Sequence, residues 1–431
     1  MDIYPSSKLG FRSQLDLFKT LTTDISVESS NYMEITPNSN VSESFNPIDF
    51  TISPQPIQNN IYYDLKNSYL YLKCKVTLQN GNQLPANEPV AVTSNFFYSM
   101  FSNIIVAANG KLLHDDQGFS PYRIMIPKLI TSSKADQTSF QTTTLCYPDS
   151  VYETYDTTKN PGFKTRMDLV SGSKTFDVAG PLECGFFNQS KYIPSGVQLN
   201  IRLVRSPPEF CLESSKTTAT GQTGCPYKYE IEEAKLYVKA HKINQDIVRE
   251  HQSLFGRGDV AKFPIQQTVV KAAQVPKGAM TFSYDMYNGL LPEYVIFGLI
   301  DSENFNGKIN KNAFNFAPNK LSQITLTCST EETTYKSIDM DYNSDIFLKA
   351  YQSLFEGVPN HDKRTGIAIS RDNFKNGNCF YLFTLLPHNV SGGFVPTKIG
   401  KMTVSFSLFK VFCSIQYYVL TNIILLGQLD I

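Results

Sequence analysis

The side chains able to do chemistry in this chain are few, and their spacing can be checked position by position. Five histidines, at 114, 241, 251, 361 and 388, show no paired metal spacing. Eight cysteines, at 74, 146, 184, 211, 225, 328, 379 and 413, include no Cys-x-x-Cys pair, so a zinc site lacks its ligand pattern. His114-Asp115-Asp116 sets an imidazole beside carboxylates, a pairing suited to proton transfer. It follows the turn dipeptide Asn109-Gly110, however, and reads more simply as a polar strand end. Asp339-x-Asp341-x-Asn343-x-Asp345 starts like a calcium loop. Ser344 stands where that loop needs Gly, and Ala350 where it needs a bidentate Glu, so a solvated acidic loop is the better reading. Gly256-x-Gly258-x-x-Ala261 imitates a dinucleotide fingerprint, but Phe263-Pro264 follows in place of a helix and no strand precedes it. Within it, Arg257-Gly258-Asp259 spells the tripeptide integrins read; a turn between domains is the plainer account. Asn40, Asn188 and Asn389 each head an Asn-x-Ser sequon. No Gly-x-Ser-x-Gly, P-loop or His-Glu-x-x-His signature occurs. The sequence therefore names no catalytic, cofactor-binding or metal site. A carboxylate pair for glycoside hydrolysis, defined by separation in space, is invisible at this level.

The elements that must carry these residues are strands. Leu70, Leu72, Cys74, Val76 and Leu78 alternate with Tyr71, Lys73, Lys75 and Thr77. The same two-residue rhythm returns at Val197, Leu199, Ile201 and Leu203, at Ala234, Leu236, Val238 and Ala240, and at Met402, Val404, Phe406 and Leu408. Successive strand side chains point to opposite faces, so each run predicts a strand with one buried and one polar face. Five Asn-Gly dipeptides, at 80–81, 109–110, 288–289, 306–307 and 376–377, predict tight turns. Helical spacing is short: one segment from Asn244 to about Phe255, and one from Asp345 to Phe355 with Ser344 or Asp345 as cap. The expected fold is all-β: two tandem jelly-roll sandwiches with short helices in loops. Residues 1–45 read as an N-terminal arm, 46–245 as the first sandwich, 246–262 as a linker and 263–431 as the second. Glu213 to Lys228, rich in Ser, Thr and Gly, reads as a loop. Periodicity fits a pair of unrelated sandwiches equally well.

Composition narrows the function. With 431 residues, two domains of about 200 each are the natural expectation. Basic and acidic residues balance at 39 each, which argues against electrostatic capture of nucleic acid or an anionic membrane. Charged residues make up only 18% of the chain, which suits flanks covered by neighbours. Trp is absent while Phe (30) and Tyr (24) are plentiful, as a sandwich core allows. The apolar run near Val419 to Leu426 is too short to span a bilayer, and no signal pattern opens the chain. A disulfide framework is not expected in so large a chain, and Cys74, inside an apolar row, reads as a buried thiol.

Several stretches resemble the double jelly-roll major capsid proteins of Polinton (Maverick) elements and adintovirus-like viruses. They are Ser13-Gln14-Leu15-Asp16-Leu17-Phe18 followed by Ser26-Val27-Glu28, the strand from Leu70 to Thr77, and Ile201-Arg202-Leu203-Val204-Arg205-Ser206 ending in Phe210-Cys211-Leu212. In the second half they are Phe305-Asn306-Gly307, Asn312-Ala313-Phe314-Asn315-Phe316, Ala350 to Phe355, and Gly366-Ile367 through Ser370-Arg371-Asp372. None is a catalytic motif; their order and spacing carry the resemblance.

The resemblance implies a non-enzymatic structural subunit located in the virion. Three copies would form a homotrimer of near-hexagonal outline that tiles an icosahedral shell, in contact with penton and minor capsid proteins. The competing reading is a two-domain β-sandwich protein that binds carbohydrate or acts on glycosides. Absence of Trp, a favoured sugar-stacking platform, counts against it, whereas a deep cleft holding two close acids would favour it. A host-retained copy with another role is a third reading.

Overall fold

A computed structural model describes residues 17–18, 20, 23–42, 46–56, 59–216, 224–329, 334–356, 366–386, 398–408 and 415–429; the last segment and residues 334–335 are described as backbone only. The first block contains β1 (Val27–Ile35), β2 (Ile48–Ile52), β3 (Ile61–Leu78), β4 (Val90–Val92), β5 (Phe101–Ala108) and β6 (Lys111–Asp115). It continues with β7 (Phe176–Gly180), β8 (Ile193–Pro194), β9 (Leu199–Arg205), β10 (Leu212–Ser214) and β11 (Tyr227–Ile243). After the helix Gln245–Gly256 the second block contains β12 (Ala261–Val275), β13 (Thr281–Leu290), β14 (Tyr294–Asp301) and β15 (Leu321–Ser329). It ends with β16 (Thr334–Asp339), β17 (Phe380–Thr384), β18 (Ile399–Leu408) and β19 (Ile415–Leu429).

Sheet order decides the architecture. The first block pairs β1-β11-β3-β7 in one sheet and β2-β9-β5-β6 in the other, with β8 appended to β3 and a separate β4–β10 pair. The second block pairs β12-β19-β14-β17 and β13-β18-β15-β16. Setting aside β4, β8 and β10, both blocks read first–eighth–third–sixth and second–seventh–fourth–fifth. That is the strand order of a jelly roll, and every ladder in it is antiparallel. The chain is two jelly rolls in tandem.

All four predicted rows face the cores. Leu70, Leu72, Cys74 and Val76 on β3 are buried, as are Leu199, Ile201 and Leu203 on β9, Ala234 to Ala240 on β11, and Met402 to Leu408 on β18. Phe297 on β14 meets Phe406 on β18 edge to face at 6.2 Å, joining the two sheets of the second sandwich. The Tyr229 hydroxyl on β11 donates to the Ser206 carbonyl (2.7 Å) just beyond β9, joining those of the first. The seven described cysteines are free and buried, and burial pushes the Cys74 thiol up; Cys413 lies outside the described residues. No described helix is long and apolar enough to cross a membrane.

Three local expectations need correction. Val27–Ile35, assigned above to the arm, is the edge strand β1, paired with β11. Its side chains are exposed on both faces along most of its length, so it carries no alternation to read. Of the Asn-Gly pairs, only Asn109 (φ 48°) and Gly110 (φ 80°) make the two-residue hairpin, between β5 and β6. Asn80-Gly81, Asn306-Gly307 and Asn376-Gly377 make the expected turns without joining two strands, the first after β3 and the others after short helices; Asn288-Gly289 alone departs from the expectation, lying inside β13. The helix expected over Asp345 to Phe355 spans only Leu348–Ser353. Asp341 and Ile346 exchange backbone hydrogen bonds of 2.7 and 2.8 Å, and Asp345 sits at φ 57° inside that closed turn. The helix can start only after Phe347, which supplies no side-chain cap. The segment Asn244 to Phe255 does form a helix, with the Asn244 side chain accepting from the Asp246 N–H (2.9 Å).

Candidate functional site

The two sandwiches meet along a buried seam, and the side chains of highest chemical potential converge there. The helix Pro161–Val170 begins at Asn160, whose side-chain oxygen accepts from the Phe163 N–H (3.3 Å), with Pro161 in the first turn. This capped start aims Arg166, which is 0% exposed, at the seam. Its guanidinium contacts Asp149 Oδ1 at 2.5 Å, Glu213 Oε2 at 3.4 Å and the Tyr147 carbonyl at 3.0 Å. The carboxylates are 2% and 4% exposed. From the second sandwich, Asn312 Nδ2 donates to Asp149 Oδ2 (3.2 Å) and Glu213 Oε1 (2.9 Å). Nearby, Glu153 accepts from Asn304 (2.6 Å), Asn315 (3.0 Å) and Lys311 (2.9 Å), all of the second sandwich. The Tyr152 hydroxyl donates to Asn378 Oδ1 (3.2 Å) across the same junction.

Apolar contacts flank this network. Tyr122 stacks on Phe305 at 5.7 Å, and Phe210 meets Phe314 edge to face at the same distance. Two backbone bonds also cross: Ser214 N–H to the Ile309 carbonyl and Ala368 N–H to the Ser132 carbonyl, each 2.8 Å. One contiguous core runs through both sandwiches. An interface of this kind behaves as a domain core and not as a hinge.

Charge balance in the seam depends on a proton. Burial, reinforced by the Asp149 charge and only partly opposed by Arg166, pushes the Glu213 carboxyl up to about 8. The seam thereby favours the protonated form of Glu213 beside Arg166. The folded state holds this proton at pH values where an unfolded carboxyl has lost it. Its stabilising contribution is whole below the ordinary carboxylate range and is lost as pH rises through about 8. Glu213→Gln should remove that dependence, so its melting temperature should fall less than wild type between about pH 6 and about pH 9. Equal slopes in a thermal melt series would contradict the assignment.

The candidates read from sequence are scattered. His114 Nε2 lies 2.9 Å from Asp116 Oδ1, and Asp116 also holds Arg123 through two contacts. Burial alone would raise the Asp116 carboxyl; the His114 and Arg123 contacts outweigh it and bring it down to about 2. The strand end thus ties β6 to the helix Ser120–Thr131. Asp341 accepts from the N–H groups of Asn343 (3.0 Å) and Ser344 (3.4 Å) and from the Ser344 hydroxyl (2.7 Å). Asp345 pairs with Arg371 (3.1 Å) and Lys375 (2.8 Å), and Asp339 accepts from Gln323 (2.6 Å). The acidic loop is thereby occupied by its own neighbours. Arg257-Gly258-Asp259 forms the exposed turn that ends the helix Gln245–Gly256, with Gly258 at φ 87°. Asn389 lies outside the described residues.

Solved structures of known proteins share this arrangement. A chain of the Sputnik virophage determined by cryo-EM superposes with a TM-score of 0.60, covering 100% of this chain and 94% of that one at 10% identity. The mavirus major capsid protein gives 0.51, over 99% of this chain and 94% of that one at 11% identity. The Faustovirus major capsid protein gives 0.52, over 95% and 92% at 7% identity. The likeness is one of fold. It spans both jelly rolls, so the tandem architecture itself is shared. No family model matches the chain. Among curated proteins, an uncharacterized protein of Caenorhabditis elegans, F54H12.2, is 19% identical over 303 residues, covering 68% of this chain and 70% of that protein.

Proposed function

We propose that this chain is a major capsid protein of the Polinton-like type, a non-enzymatic structural subunit of a virion. In this reading the first jelly roll runs from β1 (Val27–Ile35) to β11 (Tyr227–Ile243), the helix Gln245–Gly256 links, and the second jelly roll begins with β12 (Ala261–Val275). Three copies associate so that six barrels surround one axis, giving a near-hexagonal tile for an icosahedral shell. Penton and minor capsid proteins are its further partners. The observation that carries the proposal is the seam. It clamps two complete jelly rolls into one rigid unit, and a tile needs its barrels held at one fixed angle. The structural neighbours that share the whole tandem include major capsid proteins by name.

The glycoside reading requires two acids facing an open cleft. Asp149 and Glu213 are close, but both are buried against Arg166, where no sugar ring reaches them. The test of the proposal is assembly. Expressed alone, the chain should give a trimer by light scattering, persisting on dilution. Negative-stain images should show three-lobed or hexagonal particles about 80 Å across. A strictly monomeric species at all concentrations would overturn it.

A further inference from the structure

On the outer face of the first sandwich, three side chains from three neighbouring strands form a proton relay. His241 follows the core-facing row Ala234 to Ala240 by one position, so its ring points to the opposite face of β11. Directly across the ladders from it stand Ser30 on β1 and Tyr62 on β3. The Ser30 hydroxyl lies 2.7 Å from His241 Nδ1. His241 Nε2 lies 3.3 Å from Oδ2 of Asp64, at the diagonal position on β3.

The relay is oriented. Asn67 holds the Asp64 carboxylate by donating from its backbone N–H (3.2 Å) and its side-chain amide (2.7 Å). Burial alone would raise the Asp64 carboxyl; the Asn67 and His241 contacts outweigh it and bring it down. A carboxylate can only accept, so Nε2 carries the imidazole proton and Nδ1 is left to accept from Ser30. Tyr192 packs on the imidazole with ring centroids 4.6 Å apart, fixing its plane. A serine hydroxyl bonded to the free nitrogen of an imidazole that a carboxylate orients is an activated nucleophile. Asp64 and His241 are buried and Ser30 is exposed, so the base is shielded while the nucleophile can be reached. β1 pairs with β11 on one side and with no described strand on the other. An open strand edge presents backbone N–H donors, the groups that stabilise an oxyanion.

An apolar cavity of about 500 Å³ adjoins the relay. Tyr192, packed on His241, and Tyr62, one strand across from it, both belong to its wall. Ile247 and Leu254 of the linker helix, with Val260 and Phe263, supply much of the rest. A cavity of this size and lining suits a hydrocarbon chain.

We propose that Ser30 accepts a fatty acyl group from an activated donor, a thioester or active ester, and that the acyl chain lies in this cavity. The bond from Ser30 Oγ to the carbonyl carbon forms as the bond from that carbon to the leaving sulfur or oxygen breaks. The hydroxyl proton passes to His241 Nδ1 and from there to the leaving group. Each chain reacts once, so the step is a modification and not turnover, and it does not depend on the subunit reading.

Active esters test it in the full-length chain. Incubation with p-nitrophenyl decanoate should leave one acyl group per chain by intact mass, mapped to Ser30 by peptide sequencing. Ser30→Ala should abolish the label, whereas Ser29→Ala, which alters the neighbouring exposed hydroxyl, should leave it unchanged. His241→Gln, with folding checked by thermal melting, should slow acylation about a hundredfold. An unchanged rate in that variant would overturn the relay. Label spread over lysines, with Ser30 unmodified, would overturn the assignment whether or not the variant folds. Decanoate should react at least tenfold faster than p-nitrophenyl acetate. Leu254→Trp, which fills the cavity, should erase that preference without slowing the acetate reaction. Equal rates for the two esters in wild type would overturn the placement of the chain in the cavity.

Discussion

Replacing Arg166 with methionine should lower the folding stability of this chain by about 3–5 kcal/mol. Methionine fills much of the same volume, so the loss reports charge and hydrogen bonding more than packing. It strands the Asp149 carboxylate, buried beside Glu213, without a cation and frees the Tyr147 carbonyl that the guanidinium now satisfies. A lone buried charge is costly because the water it has lost is not replaced. Adding Asp149→Asn to the methionine variant should recover a large part of the loss, since no unpaired charge then remains. Urea unfolding of the three proteins measures both quantities. A single variant within about 1 kcal/mol of wild type would mean that the seam is held by its apolar contacts alone, with the network incidental.

What could be read from the residues, and what could not, divides along physical lines. The rows on β3, β9, β11 and β18 were legible because each has one buried and one solvated face, and a period of two records that difference. β14 is buried along nearly its whole length and reads as a plain apolar run, which helix and strand share. Sheet order was illegible, because pairing between β3 and β11 joins residues more than 140 positions apart with no local trace.

The seam escaped for a related reason. Asp149, Arg166, Glu213 and Asn312 come from four separate segments, and a buried polar residue looks the same in sequence as an exposed one. One signal was present. The stretches Phe305-Asn306-Gly307 and Asn312 to Phe316, with Phe210-Cys211-Leu212, carried much of the family resemblance. Phe305, Phe314, Asn312 and Phe210 prove to lie at the seam. Asn and Phe interleaved at this density mark a surface that must be both satisfied and buried. The residues of the two motifs weighed for chemistry, the His114 strand end and the acidic loop from Asp339 to Asp345, make local contacts at a strand end and in a turn.

Glycines at the seam give the second large effect. Gly185 opens the short helix Gly185–Asn188, whose backbone lies against β12 of the other sandwich. A Cβ there would collide with the Gln266 carbonyl oxygen and stand 2.9 Å from Ile265 Cγ2. The nearest obstacle is backbone, which cannot swing away as a side chain could. Gly377 is excluded twice: its φ of +103° is a conformation L side chains rarely adopt, and its Cβ would enter the Tyr152 ring, 2.8 Å from Asn315 Oδ1. Gly185→Ala and Gly377→Ala should therefore each destabilise by about 2–4 kcal/mol, by prising the sandwiches apart and not by loosening either core. Gly256→Ala is the matched control, because nothing lies within 4 Å of that Cβ; it should stay within about 0.5 kcal/mol of wild type. Trypsin adds a readout specific to the seam. Cleavage at the exposed Arg257 severs the chain between the sandwiches. The two halves should co-elute in size exclusion for wild type and for Gly256→Ala, and separate for the two seam variants. Co-elution of all four, with unchanged melting, would mean that close backbone approach contributes nothing to holding the two barrels as one body.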